Sequence, residues 1–149
     1  MKILLATDGT KYGQAAAEML RKLAIEKGDE IKIICVVDMA VPLAVDVYGG
    51  YMPDTTEIEK AARENACKIV EDTVAQAREW IGDAAISSDV LYGSPESRVV
   101  ETAEEMGADL IVLGSHGYKS WERLLLGSVS NSVVHHAPCS VLVVRAPAE

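Results

Sequence analysis

Three glycines, Gly114, Gly117 and Gly127, are spaced G-x2-G-x9-G, and Ser128 directly follows the last. Residues without a side chain do chemistry only through the backbone. They let a ligand or a neighbouring backbone come close, and they permit turns with positive φ. If Gly127-Ser128 opens a helix, its free N–H groups and positive dipole end form an anion site, with the Ser128 hydroxyl as an added donor. Together the parts describe a phosphate cradle, although each alone is an ordinary strand terminator, turn glycine or helix cap. Asp8, in Thr7-Asp8-Gly9, and Asp38, after Val37, add a second chemistry. Carboxylates ending adjacent strands would repel before a triphosphate, and a divalent cation, best Mg²⁺ with several retained waters, would relieve this. Asp38 is equally readable as a solvated strand-end acid.

Other reactive side chains carry weaker signals. His135 and His136 are helical neighbours about 100° apart, not the i, i+4 pair that binds a metal, and they read as surface residues near a helix C-terminus. His116 lies within the glycine-bearing segment, where a solvated histidine is the commoner case. Lys119 and Arg123 are the cations nearest the cradle in sequence, Trp121 and Leu124 to Leu126 read as the anchor of that segment to the core, and Tyr48 and Tyr51 could close over a base. The three cysteines, Cys35, Cys67 and Cys139, lie in apolar runs without a CxxC and read as small buried hydrophobes in a reducing cytosol.

The elements that must hold these residues are legible from apolar period. Five short apolar runs alternate with segments of helical spacing. The first strand, Ile3 to Ala6, is followed by a helix carrying Ala16, Met19, Leu20 and Leu23, with Gly28 as its expected stop. Ile31 to Val37 forms the second strand, nearly continuous in hydrophobicity as in parallel sheets covered on both faces. Residues 39–56 show no sustained period and read as a functional flap or a mobile segment. A long helix follows, striped by Ile58, Ala62, Ala66, Ile69, Thr73, Ala77 and Trp80 and closed by Gly82. Strands are expected at Ala84–Leu91, Asp109–Leu113 and Ser140–Val144. A helix capped by Ser94-Pro95 and stopped by Gly107, and another carrying Val129, Val133 and Ala137, lie between them. The fold class is therefore α/β: a doubly wound, five-stranded parallel sheet with helices on both faces, in one domain over 1–149.

Such sheets bind ligands outside the carboxyl ends of the strands, which is where Asp8, Val37 and Gly114 fall. The spacing of Gly114, Gly117, Gly127 and Ser128, flanked by ILLATDGT, ADLIVLGSHG and LLLGSVSNSVVHHAPCSVLVV, resembles the universal stress protein family, in particular its ATP-binding branch. The resemblance covers the whole chain. It implies a Rossmann-like sheet of the adenine nucleotide alpha hydrolase type. It also implies ATP held by Thr7, Asp8, Val37, Gly114, Ser115, Gly117, Gly127, Ser128, Val129 and Ser130. In that reading Asp8 lies near the ribose or a bound Mg²⁺, and the Val37 backbone lies beside the adenine. Ser120 departs from the family pattern, where another glycine is common. The resemblance further implies a homodimer joined through the last strand, which is apolar and lacks the charges, bulges or prolines that blunt an edge.

Composition excludes several other functions. The formal charge of −9 and the absence of a basic cluster argue against nucleic acid as a partner. No run approaches the roughly 18 apolar residues of a membrane span, and the short apolar N-terminal run is no signal-peptide core, so a cytoplasmic location is expected. There is no GxxxxGK[ST] loop and no evident base to orient water. A regulatory ATP-binding module is the favoured reading, with a slow ATPase or nucleotidyl-transfer enzyme on the same fold as the alternative. A phosphoacceptor domain would need an acidic cluster after the first strand, where Asp8 stands alone.

Overall fold

A computed structural model of the chain describes residues 1–38, 55–116 and 126–147. The strands are β1 (Lys2–Ala6), β2 (Glu30–Asp38), β3 (Ala85–Gly93), β4 (Leu110–Gly114) and β5 (Ser140–Val144). The helices are α1 (Lys11–Met19), α2 (Thr55–Ile81), α3 (Pro95–Met106) and α4 (Ser128–His136). All pairings are parallel, in the order β3-β2-β1-β4-β5.

Alternation along the central strands explains the two layers. Ile3 and Leu5 of β1 join Ile31 and Ile33 of β2 in a cluster closed by Ala16 of α1, by Leu20 just past its end, and by Ala77 and Ile81 of α2. Leu4, between them in sequence, joins Ile34, Ile111 and Leu113 on the opposite face under Val99 and Ala103 of α3 and Val133 of α4. Because both faces of β1 are covered, Ile3, Leu4 and Leu5 are all fully buried and the strand reads as an unbroken apolar run.

The expected α/β architecture is present, with small shifts of boundary. The first helix departs more: α1 ends at Met19, a 3₁₀ turn continues to Lys22, and Gly28 sits beyond it with φ +105°. Gly28 is therefore a turn glycine and not the helix stop. Asp29 explains the early end, since its carboxylate accepts from the Glu26 N–H at 2.8 Å and gives the backbone a local alternative to helix. Gly107 does end α3 in the left-handed region, at φ 63° and ψ 49°. Ser94 occupies the N-cap of α3, but its hydroxyl donates to the Glu96 carboxylate at 2.6 Å instead of accepting from the backbone. On α2, Ala66, Thr73 and Ala77 are buried as the stripe requires, whereas Ile58 is exposed.

The sheet order places the reversal of winding between β1 and β4. From β1 the chain turns into α1 on one face; from β4 it proceeds to α4 on the other. The crevice between those connections, at the carboxyl ends of β1 and β4, is where such folds take ligands.

Candidate functional site

At the end of β1 the chain makes a tight corner. The Thr7 N–H donates to the Ile34 carbonyl at 3.0 Å, carrying the sheet ladder one residue past the strand. Asp8 Oδ1 then accepts from both the Thr10 N–H at 3.0 Å and the Thr10 hydroxyl at 2.6 Å. Thr10 is also the N-cap of α1, its Oγ accepting from the Gly13 N–H at 3.4 Å. One carboxylate oxygen is thus fixed by the helix start, which orients the whole group.

Two glycines make that corner possible. Gly9 has φ +77°, and a Cβ there would lie 2.8 Å from Ile69 of α2. A Cβ on Gly13 would lie 2.6 Å from Thr7 Oγ1 and 2.9 Å from Asp8 Oδ1. Gly13 was missed in the sequence, although the signal was present: a glycine inside a helix costs about 1 kcal/mol against alanine and calls for a reason.

The second half of the site is a clasp. Ser115, at the end of β4, donates its N–H to the Val144 carbonyl at 2.8 Å, and its own carbonyl accepts from the Gly127 N–H at 2.7 Å. The Ser130 hydroxyl lies 3.0 Å from the carbonyl oxygens of both Ser115 and Gly127. These bonds bring the start of α4 against the end of β4. Gly127 is the N-cap of α4 and has no side chain with which to cap it, so the N–H groups of Ser128, Val129 and Ser130 lack intrahelical acceptors. Ser128 is exposed, while Ser130 is buried and Val129 packs into the cluster of Leu4, Ile111 and Val133.

Gly114 has a definite role. A Cβ on it would stand 2.7 Å from the Tyr12 carbonyl carbon and 2.8 Å from its oxygen. Its missing side chain admits the backbone of α1, which packs the two halves of the site together. Val37, at the end of β2, shares a small cluster with Cys35, Ala66 and Val70. Register pairs Ala6 with Ile34, so β2 runs four residues further to Asp38 and carries that acid beyond the level of Asp8. Gly117, Lys119, Ser120, Trp121, Arg123, Leu124 and Leu125 fall outside the described residues, as do Tyr48 and Tyr51. Leu126 is described and is 38% exposed, so it does not anchor the segment as expected.

Beside the clasp, His116 Nδ1 lies 3.0 Å from Ser115 Oγ, and its ring stands 5.0 Å from that of Tyr12. The other histidines lie at the far end of α4, exposed, with Nδ1 2.8 Å from the carbonyl oxygens of Asn131 and Ser132. This is the surface role expected for His135 and His136. Cys35 is buried beneath the site, and burial, with Asp8 and Cys67 nearby, pushes its thiol up to about 11. It therefore stays protonated and unreactive at neutral pH. Cys67 and Cys139 are free and only partly buried, a partial departure from the expected burial. Among the described residues no three His, Cys, Asp or Glu side chains are grouped to hold a metal, and no helix is long and apolar enough to cross a membrane.

The sheet is a doubly wound α/β sheet with the start of α4 at its switch point, the place where such sheets take ligands. The sequence pattern described as the universal stress protein family matches residues 1–145, and the chain belongs to that family. It is 34% identical over 146 residues to universal stress protein MJ0531 of Methanocaldococcus jannaschii, an alignment covering 98% of this chain and 82% of that protein. Its fold resembles the solved structure of hypothetical protein MJ0577, with a TM-score of 0.80, 25% identity and coverage of 99% and 97% of the two chains. A universal stress protein family protein from Arabidopsis thaliana, solved with AMP bound, shares the fold at a TM-score of 0.70 and 16% identity, over 99% and 93% of the chains.

Proposed function

We propose that this chain is an ATP-binding regulatory module, in which occupancy by nucleotide sets conformation or partner choice. The observation that carries this is the clasp between Ser115 and Gly127, which holds the start of α4, capped by no side chain, against the end of β4 at the switch point of the sheet. Phosphates would be held by the N–H groups of Ser128, Val129 and Ser130 and by the Ser128 hydroxyl. Thr7, Gly114 and Ser115 shape the floor, Gly117 completes the cradle, and the Val37 backbone reads the adenine. The occurrence of AMP in a protein of the same fold supports a nucleotide as ligand. Asp8, with one oxygen fixed by Thr10, suits a Mg²⁺ that takes its remaining ligands from phosphates and water. With the net charge of −9, a small ligand held by local dipoles is favoured over a polyanionic nucleic acid.

Calorimetry and thermal melts with MgATP test the assignment. At a hundredfold excess over Kd the ligand should stabilise the fold by about 2.7 kcal/mol, or roughly 5 to 10 °C. Gly127→Val should abolish binding by filling the cradle, whereas Lys119→Ala should weaken it only modestly. An unmoved melting temperature with no heat of binding overturns the reading.

A further inference from the structure

Gly13 occupies a buried position of α1, a helix that elsewhere uses alanine for the same purpose. Ala15, Ala16 and Ala17 are all buried, so alanine serves wherever packing alone asks for a small residue. Glycine is the poorer helix former of the two. The space left by its missing side chain is filled from the end of β1: a Cβ on Gly13 would lie 2.6 Å from Thr7 Oγ1, 2.9 Å from Asp8 Oδ1 and 3.1 Å from the Asp8 nitrogen. The same turn grips that carboxylate oxygen. Asp8 Oδ1 accepts from the Thr10 hydroxyl and N–H, and Thr10 Oγ accepts in turn from the Gly13 N–H. The first turn of α1 therefore closes around one oxygen, by contact at Gly13 and by hydrogen bonds at Thr10.

We propose that Gly13 is a positioning residue of the nucleotide site, giving up helix stability so that Asp8 is held to meet the divalent cation of a metal-nucleotide complex. The inference rests on the site assignment above. Mg²⁺ is usually bound through one or two protein carboxylates, with phosphates and water supplying the remaining oxygens, so a single acid suffices here. A carboxylate that ligates a metal depends on the partners that orient it, and in this corner those partners are Thr10 by hydrogen bond and Gly13 by the room it leaves. The two atoms nearest the Gly13 Cβ position are ends of side chains, so a methyl group there turns Thr7 and Asp8 and leaves α1 seated on β1. Gly114 differs, because its nearest neighbours include the Tyr12 backbone. Substitution at Gly13 therefore separates the placement of Asp8 from the packing of the fold.

Calorimetry should compare MgATP, ATP in excess EDTA and adenosine, with urea unfolding of the ligand-free protein alongside. Wild type should bind MgATP more tightly than metal-free ATP. Gly13→Ala should unfold at a urea midpoint no lower than wild type, because alanine favours the helix. Its affinity for MgATP should nevertheless fall roughly ten- to a hundredfold, the usual scale for losing a metal ligand's support. Metal-free ATP and adenosine should keep their wild-type affinities. Thr10→Val, which removes the hydroxyl donor to Asp8, should show the same selective loss, and Thr10→Ser, which keeps that donor, should bind MgATP as wild type does. A role in packing alone would weaken all three ligands together. Unchanged MgATP affinity in Gly13→Ala, a urea midpoint below that of wild type, an equal loss for all three ligands, or wild-type binding indifferent to Mg²⁺ would each overturn the proposal while leaving the site assignment intact. Absence of any binding by wild type would overturn the site assignment, and this proposal with it.

Discussion

The Ser130 hydroxyl has one proton, and the carbonyl oxygens of Ser115 and Gly127 stand ready to accept it. The family resemblance implies a ligand contact at Ser130; the structure places its hydroxyl inside the clasp, and as an N3 residue of α4 its N–H has no intrahelical acceptor. Ser130→Ala should therefore cost about 1 kcal/mol of stability and also weaken ATP binding, through loss of the clasp. Urea unfolding paired with calorimetry checks both, and weakened binding at unchanged stability would return the hydroxyl to the ligand. A second residue-scale prediction concerns pH. Asp29, held below its ordinary carboxyl value first by the Glu26 N–H and then by the Met1 amino group, contributes stability above about pH 3.8 that is lost as pH falls through its lowered pKa. The Met1 amino group, raised by its bond to Asp29, contributes stability below pH 8.0 that is lost as pH rises through its raised pKa. Thermal melts of Asp29→Asn should show a lower melting temperature between those limits and a flatter pH profile at both ends. The Met1–Asp29 bond was not legible in the sequence, because the two residues meet only when β1 and β2 pair.

At the scale of elements, the strands were legible because both sheet faces are covered and the apolar runs are continuous, as with Ile3 to Leu5. Helix ends were legible where a glycine takes positive φ, as at Gly107, and not where a side chain competes for the backbone, as Asp29 does near Gly28. The meeting of elements was the least legible. Gly114 reads in sequence as open to either a ligand or a neighbouring backbone, and only the three-dimensional approach of Tyr12 decides for the backbone. Gly114→Ala should therefore force α1 away from β4 and cost on the order of 1 to 3 kcal/mol, the usual range for overpacking. The loss should appear in denaturant unfolding with no nucleotide present. If instead stability holds and only ATP affinity falls, the glycine serves the ligand.

For the whole molecule, the sheet order leaves β3 and β5 at the two edges, and they are unlike. The strand β3 exposes Ser87, Ser88 and Asp89, which discourage pairing. By contrast, β5 is Ser140-Val141-Leu142-Val143-Val144, with its three central residues only partly covered. An apolar edge with no charge, bulge or proline invites a second copy across a two-fold axis, and we propose a homodimer formed in this way. The hydrogen bonds identify the residues that would pair. The Val144 carbonyl accepts from Ser115 on the β4 side, so by strand alternation Leu142 also faces β4, while Val141 and Val143 present their N–H and C=O groups outward. Light scattering should then report close to twice the 16.0 kDa chain mass. Val143→Pro removes an outward donor without touching the β4 ladder and should give a folded monomer, since proline is tolerated on an edge. Leu142→Pro removes a donor that β4 uses and should destabilise the chain itself. A wild-type monomer at tens of micromolar, or a Val143→Pro dimer as tight as wild type, would place the interface elsewhere or nowhere.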